Sequence, residues 1–178
     1  NYADHFMQSE LGALKAITFT VQASNDAHIG FFDSQEWSGV GHEHYEIVLS
    51  GWGNTQSSIR DSAQGANHAQ TDTRGFLSAD EPRPFWASAL NGLVQLGTGQ
   101  TLGENVVMQW EDPEPISVNF VAVATGWGSS GHWHLCVVEG NPPEMAEGDA
   151  VQFHHTSGAD VQPSLSNSGF ELDVIGGE

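Results

Sequence analysis

The sequence predicts an all-β protein: an antiparallel β-sandwich, jelly-roll-like, with about ten to twelve short strands and little or no helix. Two observations carry this. Apolar and polar residues alternate with period two in run after run, and clusters of Gly, Asn, Asp, Ser and Pro separate the runs. A third is that no window holds a helical period for long. Strands without intervening helices bury their apolar faces by pairing two sheets.

The elements follow in order. "MQSELGALKA" is the best helical stretch, but it is short and runs into a strand. "AITFTVQA" then puts Ile17, Phe19 and Val21 on one face and Thr18, Thr20 and Gln22 on the other. "YEIVLS" and "SSIRDSA" are short strands, with "GWGN" between them. "FWASALNGLVQLG" reads as a hairpin in which Asn91-Gly92 forms a two-residue type I′ turn. "ENVVMQW" is another strand. "ISVNFVAVAT" places Ile116, Val118, Phe120 and Ala122 on one side, opposite a mixed side of Ser117, Asn119, Val121 and Val123. "WHLCVV", "AVQFHH" and "FELDVIG" complete the set, with "NPPEMAEGD" as an acidic loop. Trp86 and Trp110 lie within strands and are expected in the core. No linker interrupts residues 1–178, which read as one domain.

Charge narrows the partners. Four Lys and Arg face 23 Asp and Glu, a formal net charge of −19. Such a surface repels phosphate backbones and anionic membranes, so nucleic acid and membrane insertion are excluded as expectations. It suits a neutral ligand, a cation or a basic partner. No apolar run approaches the roughly 20 residues of a spanning helix. The one cysteine, Cys136, has no internal partner and reads as a small buried hydrophobe; pairing between chains stays open. The chain starts at Asn1 rather than Met, which points to a removed leading segment.

The sequence places a tryptophan between two glycines at a strand end twice, in "GWGN" at 51–54 and "GWGS" at 126–129. Flanking glycines let the backbone come close to a ligand and let the indole face outward. An exposed indole is a stacking surface for the C–H face of a sugar, and short hydrogen-bonding residues beside each ring supply the polar contacts. The candidate ligand-binding residues are therefore Trp52, Asn54 and Arg60 around the first turn, and Trp127, His132 and Trp133 around the second. Trp37 in "SQEWSGVGHEH" is a further candidate. The alternative is that each ring folds back to cap the core. Arg60 can instead pair with Asp61 at a strand end. His42 with His44, and His132 with His134, form HxH pairs, but neither has a third ligand in sight, so no metal is assigned. "EDPEP" offers carboxylates without calcium-loop spacing and reads as a turn. No nucleophile is paired with a base, so no catalytic residue is assigned.

The segments "NDAHIGFF", "YEIVLSGWGNTQSSIR", "GFLSADEPRPFW", "NGLVQLGTG" and "MQWEDPEPISVNFVAVATGWGSSGHW" occur in that order. Together they resemble the farnesoic acid O-methyltransferase-like domain of invertebrate proteins, from about Phe19 to His134. The resemblance implies a core over 19–138, with residues 139–178 adding closing strands and loops. It implies a compact extracellular β-fold serving recognition. The family's name implies methyl transfer, yet the chain has no βαβ unit with a Gly-rich turn to hold a methyl donor. The expectation is a secreted, non-enzymatic, lectin-like protein that binds a neutral glycan and needs no cofactor. A carrier for an apolar isoprenoid-like ligand is the alternative, and a methyltransferase acting on farnesoic acid-like substrates the second. Self-association into a homo-oligomer stays open.

Overall fold

The computed structural model describes residues 2, 6–9, 15–137, 151–152 and 170–174. These form β1 (Phe6–Ser9), β2 (Ala16–Ala23), β3 (Ala27–Phe32), β4 (Glu43–Ser50), β5 (Gln56–Ser62), β6 (Ala69–Asp72) and β7 (Arg83–Leu90). β8 (Leu93–Thr98), β9 (Val106–Glu111), β10 (Phe120–Thr125), β11 (Gly131–Val137), β12 (Val151–Gln152) and β13 (Phe170–Val174) follow. One sheet has the order β12-β1-β10-β3-β4-β5-β6, the other β13-β11-β2-β7-β8-β9. Every pairing between them is antiparallel. The fold is the predicted sandwich. Ten of the strands, β2 to β11, lie in the continuous stretch 15–137; of the rest, β12 and β13 are edge strands and β1 lies between β12 and β10. The "NPPEMAEGD" loop and most of 138–178 lie outside the described residues.

Alternation builds the core. Ile29 and Phe31 of β3, Tyr45, Ile47 and Leu49 of β4, and Val121 and Val123 of β10 point inward from one sheet. They meet Ile17, Phe19 and Val21 of β2, Phe85 and Ala87 of β7, and Trp133 and Leu135 of β11. The Asn91-Gly92 turn forms as expected, with φ of 52° and 84° and Leu90 paired with Leu93. The "EDPEP" turn is tied down by Asp112, which accepts from the Tyr45 hydroxyl at 2.8 Å and the Glu114 N–H at 3.0 Å. Trp86 is fully buried, its N–H on the Glu104 carbonyl at 2.7 Å, whereas Trp110 is only half-buried and stacks on His68 at 4.1 Å.

Two readings need correction, and the one helical candidate resolves into strand residues as the all-β reading expects. In "ISVNFVAVAT" the mixed side, Val121 and Val123, turns to the main core. The Phe120 and Ala122 side faces outward instead, onto a smaller cluster with Tyr2, Phe32 and Trp37. The helical candidate gives Met7–Ser9 to β1 and Ala16 to β2, because both segments pair with neighbouring strands. Trp133, expected to face a ligand, is fully buried with its ring 5.4 Å from that of Phe19. Strand parity explains this: His132 and His134 point out, so Trp133 points in.

Trp133→Ala should therefore destabilise the fold by about 3–5 kcal/mol, as for a large aromatic removed from a packed core. Chemical denaturation followed by far-UV circular dichroism measures it. A loss under 1 kcal/mol would place the ring outside the core.

Candidate functional site

The two Gly-Trp-Gly segments share one unusual backbone. In residues 51–54, Trp52, Gly53 and Asn54 have φ of 51°, 70° and 62°, a short left-handed turn closed by the Thr55 N–H on the Gly51 carbonyl at 3.0 Å. In 126–129, Trp127 and Gly128 have φ of 52° and 76°, and the Ser129 N–H donates to the Gly126 carbonyl at 3.0 Å. That is a two-residue left-handed turn of the I′ kind. Glycine adopts this conformation freely, but a bulky side chain is held there at a cost of about 1–3 kcal/mol. Neither indole recovers the cost by burial, since Trp52 is 47 % exposed and Trp127 82 %. The rings do not cap the core.

Both turns lie at the same end of the seven-stranded sheet. Ala27, the first residue of β3, pairs with Leu49 on one side and Thr125 on the other. The turns leaving β4 and β10 thus flank β3, about two strand spacings or ~10 Å apart at their bases. Asp26 joins them. Its N–H donates to the Ser50 carbonyl at 3.0 Å, and its carbonyl accepts from the Gly126 N–H at 3.0 Å. Asp26 is itself left-handed, with φ of 54°. The first glycine of each motif sits against side chains at this junction. A Cβ on Gly51 would sit 3.0 Å from the Asp26 Oδ1, and one on Gly126 would sit 3.1 Å from the His28 Nε2. The Ser24 and Ser129 hydroxyls lie 3.3 Å apart beside the second turn.

Beneath this end a chain of charges crosses the outer face of the sheet. Asp26 Oδ1 lies 3.2 Å from His28 Nε2, His28 Nδ1 lies 3.3 Å from Glu46 Oε1, and Glu46 Oε2 accepts from Arg60 Nη1 at 3.1 Å. Arg60 continues to Asn67 at 2.8 Å, and its guanidinium carbon lies 5.5 Å from the Trp52 ring centre, a cation–π contact. Burial by itself would lower the His28 pKa, but carboxylates on both ring nitrogens outweigh it and raise it to about 9. Burial would raise Glu46, yet His28, His44 and Arg60 overcome this and lower it to about 2. The chain is thus two cations alternating with two anions. Next to it His44 is neutral, lowered to about 4 by burial.

The structure sorts the seven candidate residues. Trp52, Arg60 and Trp127 belong to one connected arrangement. Asn54 stands beside it but is spent on structure, its amide bonded to the Leu77 carbonyl at 2.9 Å. Arg60 does not pair with Asp61, because consecutive strand residues face opposite ways; Asp61 meets His68 at 2.8 Å instead. His132 is exposed on β11, in the other sheet, where it contacts Asp173. Trp133 is in the core, and Trp37 packs with Tyr2 and Phe32 on the outer face. Of the HxH pairs, His44 is buried and stacked on Phe32 at 4.3 Å. Among the described residues no three His, Cys, Asp or Glu side chains are grouped to hold a metal ion. Sequence reasoning missed Asp26, His28 and Glu46. The signal was parity: His28 alternates with Ala27 and Ile29, and Glu46 with Tyr45 and Ile47, so both are outward residues on strands with apolar inner faces.

Comparison with known proteins agrees with the resemblance. The model of the farnesoic acid O-methyltransferase family matches residues 1–137, and the chain belongs to this family. A BTB/POZ domain-containing protein of Arabidopsis thaliana is 25 % identical over 118 residues, which cover 61 % of this chain and 14 % of that protein. Related sequence therefore occurs in plants as a small part of a longer chain.

The charge chain makes stability depend on pH from both sides. The folded pKa of His28 stands above its ordinary 6.5, so its contribution is full below pH 6.5 and is lost as pH rises through about 9. His44 is opposite: its folded pKa stands below 6.5, so stability falls as pH drops from 6.5 towards 4. Unfolding free energy should peak near pH 6.5, with limbs of at most about 1.4 kcal/mol per pH unit per group. His28→Gln should flatten the alkaline limb and His44→Phe the acid one. Urea titrations at half-unit pH steps test this; an unchanged alkaline slope in His28→Gln would refute the pairing.

Proposed function

We propose that this member of the family is a non-enzymatic recognition module, lectin-like, that takes a neutral glycan at the sheet end between Trp52 and Trp127. One observation carries the reading. Two large aromatic rings are held exposed, in a backbone conformation that disfavours them, at neighbouring positions joined through Asp26. Neither core packing nor local backbone preference accounts for tryptophan there; presenting a stacking face does. Arg60 steadies the Trp52 ring from beside it. Ser24, Asn25 and Ser130 supply polar groups close to the turns, of the short kind that fixes a sugar's orientation. The surface charge of −19 fits a neutral ligand and disfavours an anionic one.

Other readings draw less support. An isoprenoid carrier that held its ligand between the sheets, rather than in an aromatic pocket, would need space where Phe19, Phe31, Tyr45, Phe85 and Trp133 pack. Methyl transfer rests on the family's name. The Arabidopsis relative, in which the matched segment is a small fraction of the chain, suits a module that confers binding on larger assemblies. A secreted setting fits that role, and binding through repeated copies in a homo-oligomer would raise avidity.

Two experiments test the proposal. A glycan array on the purified protein should show selective binding. Trp52→Ala and Trp127→Asn should each weaken it by about 2 kcal/mol or more, as for an aromatic anchor. Trp127→Asn should leave stability unchanged or raise it by roughly 1 kcal/mol, since Asn tolerates the left-handed region. Loss of binding in step with loss of folding would defeat the platform reading. Calorimetric titration with S-adenosylmethionine should show no specific heat; a micromolar constant, about −8 kcal/mol, would reinstate the enzyme.

A further inference from the structure

The outer face of the seven-stranded sheet carries a second arrangement, apart from the exposed tryptophans. Tyr2 lies there, buried, its ring centre 5.3 Å from that of Phe32, 5.1 Å from Trp37 and 5.4 Å from His44. All three contacts are edge-on, the preferred geometry for aromatic pairs. The Tyr2 hydroxyl donates to Glu46 Oε1 at 3.1 Å. Gly30 forms part of the floor, and a Cβ there would lie 3.1 Å from the Tyr2 ring and 2.3 Å from that of Phe32. From these contacts we propose that Phe32, Trp37, His44 and Glu46 form a binding site for a phenol, which Tyr2 fills from within the same chain and an outside phenol can enter.

Three features separate this box from ordinary core. It lies outside the inter-sheet layer, on a face that antiparallel sheets commonly leave to solvent. Its polar end is a buried carboxylate, already bonded to His28 and Arg60, which holds an acceptor in place for one hydroxyl. A plain hydrophobic plug would need no such group, and a buried ion pair is weak support for stability. Last, the His44 Nε2 is buried with no hydrogen-bond partner among the described residues, while its Nδ1 meets the His42 carbonyl at 2.7 Å. With Nδ1 as the donor, Nε2 is an unused acceptor within the box, available to a ligand that carries a second donor.

The probe is p-cresol, the side chain of tyrosine as a free molecule, with toluene as its counterpart lacking the hydroxyl. Tyr2→Ala, in the full chain, should melt below wild type, and p-cresol should restore the melting temperature in a saturable manner. Toluene should bind at least tenfold more weakly by calorimetry. Adding Glu46→Gln to Tyr2→Ala should reduce that preference to under threefold. Equal rescue by the two compounds, or none, would overturn the site. Should Tyr2→Ala not fold, Tyr2→Phe keeps the ring and removes the bond to Glu46. The internal competitor is then weaker, so the apparent dissociation constant for p-cresol should fall at least tenfold from wild type. An unchanged constant would overturn the proposal equally.

Discussion

Asp26 is the residue on which the sheet end depends. Its main chain is bonded on one side to the strand that leads into the first turn and on the other to the glycine that opens the second. Its side chain points into the space that a Cβ at position 51 would need, and it meets His28. To satisfy all three contacts the residue adopts a left-handed backbone, which Asp tolerates better than most. A bulkier or β-branched residue would break the geometry of both turns at once. The position of the two turns and the start of the charge chain follow from this junction.

The charge chain places ionic groups where a sandwich would ordinarily have a polar, solvated surface. Its four members alternate in sign, so each charge has a neighbour of opposite sign and the sum is zero. Such a row removes few charges from water without compensation, and its worth lies more in geometry than in net stability. Breaking it at Glu46 would strand His28 and Arg60 together, the costly case for buried ion pairs. Because the row runs from Asp26 to the guanidinium beside Trp52, it also connects the aromatic box around Tyr2 with the exposed end.

Much of the architecture was legible in the sequence, and the limits have physical causes. Period-two alternation located β2, the Asn91-Gly92 turn located the β7–β8 hairpin, and β4 and β5 stood out as short runs on either side of "GWGN", although β4 is buried on both faces from His44 to Ser50. β3 gives no such signal. Gly30 interrupts it and Phe32 faces outward, since Tyr2 and Trp37 cover that side and make both faces apolar. The same cover misled the parity of "ISVNFVAVAT". At the site, the glycine pattern found Trp52 and Trp127, and a family motif contained Asp26 and His28 without revealing their part. Their role depends on β3 lying between β4 and β10, a long-range pairing that no local pattern encodes. Trp133 was misjudged for a simpler reason. Its neighbours drew attention to the motif, but its own parity sends it inward.

The left-handed turns have a consequence for what this end of the molecule can measure. A tryptophan on an ordinary loop can swing to meet ligands of different lengths. Here each ring hangs from a backbone with little freedom, hydrogen-bonded to strands that are themselves locked in register through Asp26. The backbone points from which the rings hang are therefore a fixed interval apart, like the hinges of a caliper's jaws. On the proposed reading, a ligand whose stacking faces match that interval would meet a backbone already arranged for it, and less ordering would be left to the moment of binding. If the two rings are the platforms proposed above, a ligand a single unit too short would reach one jaw and not the other, and discrimination would be by length before chemical detail.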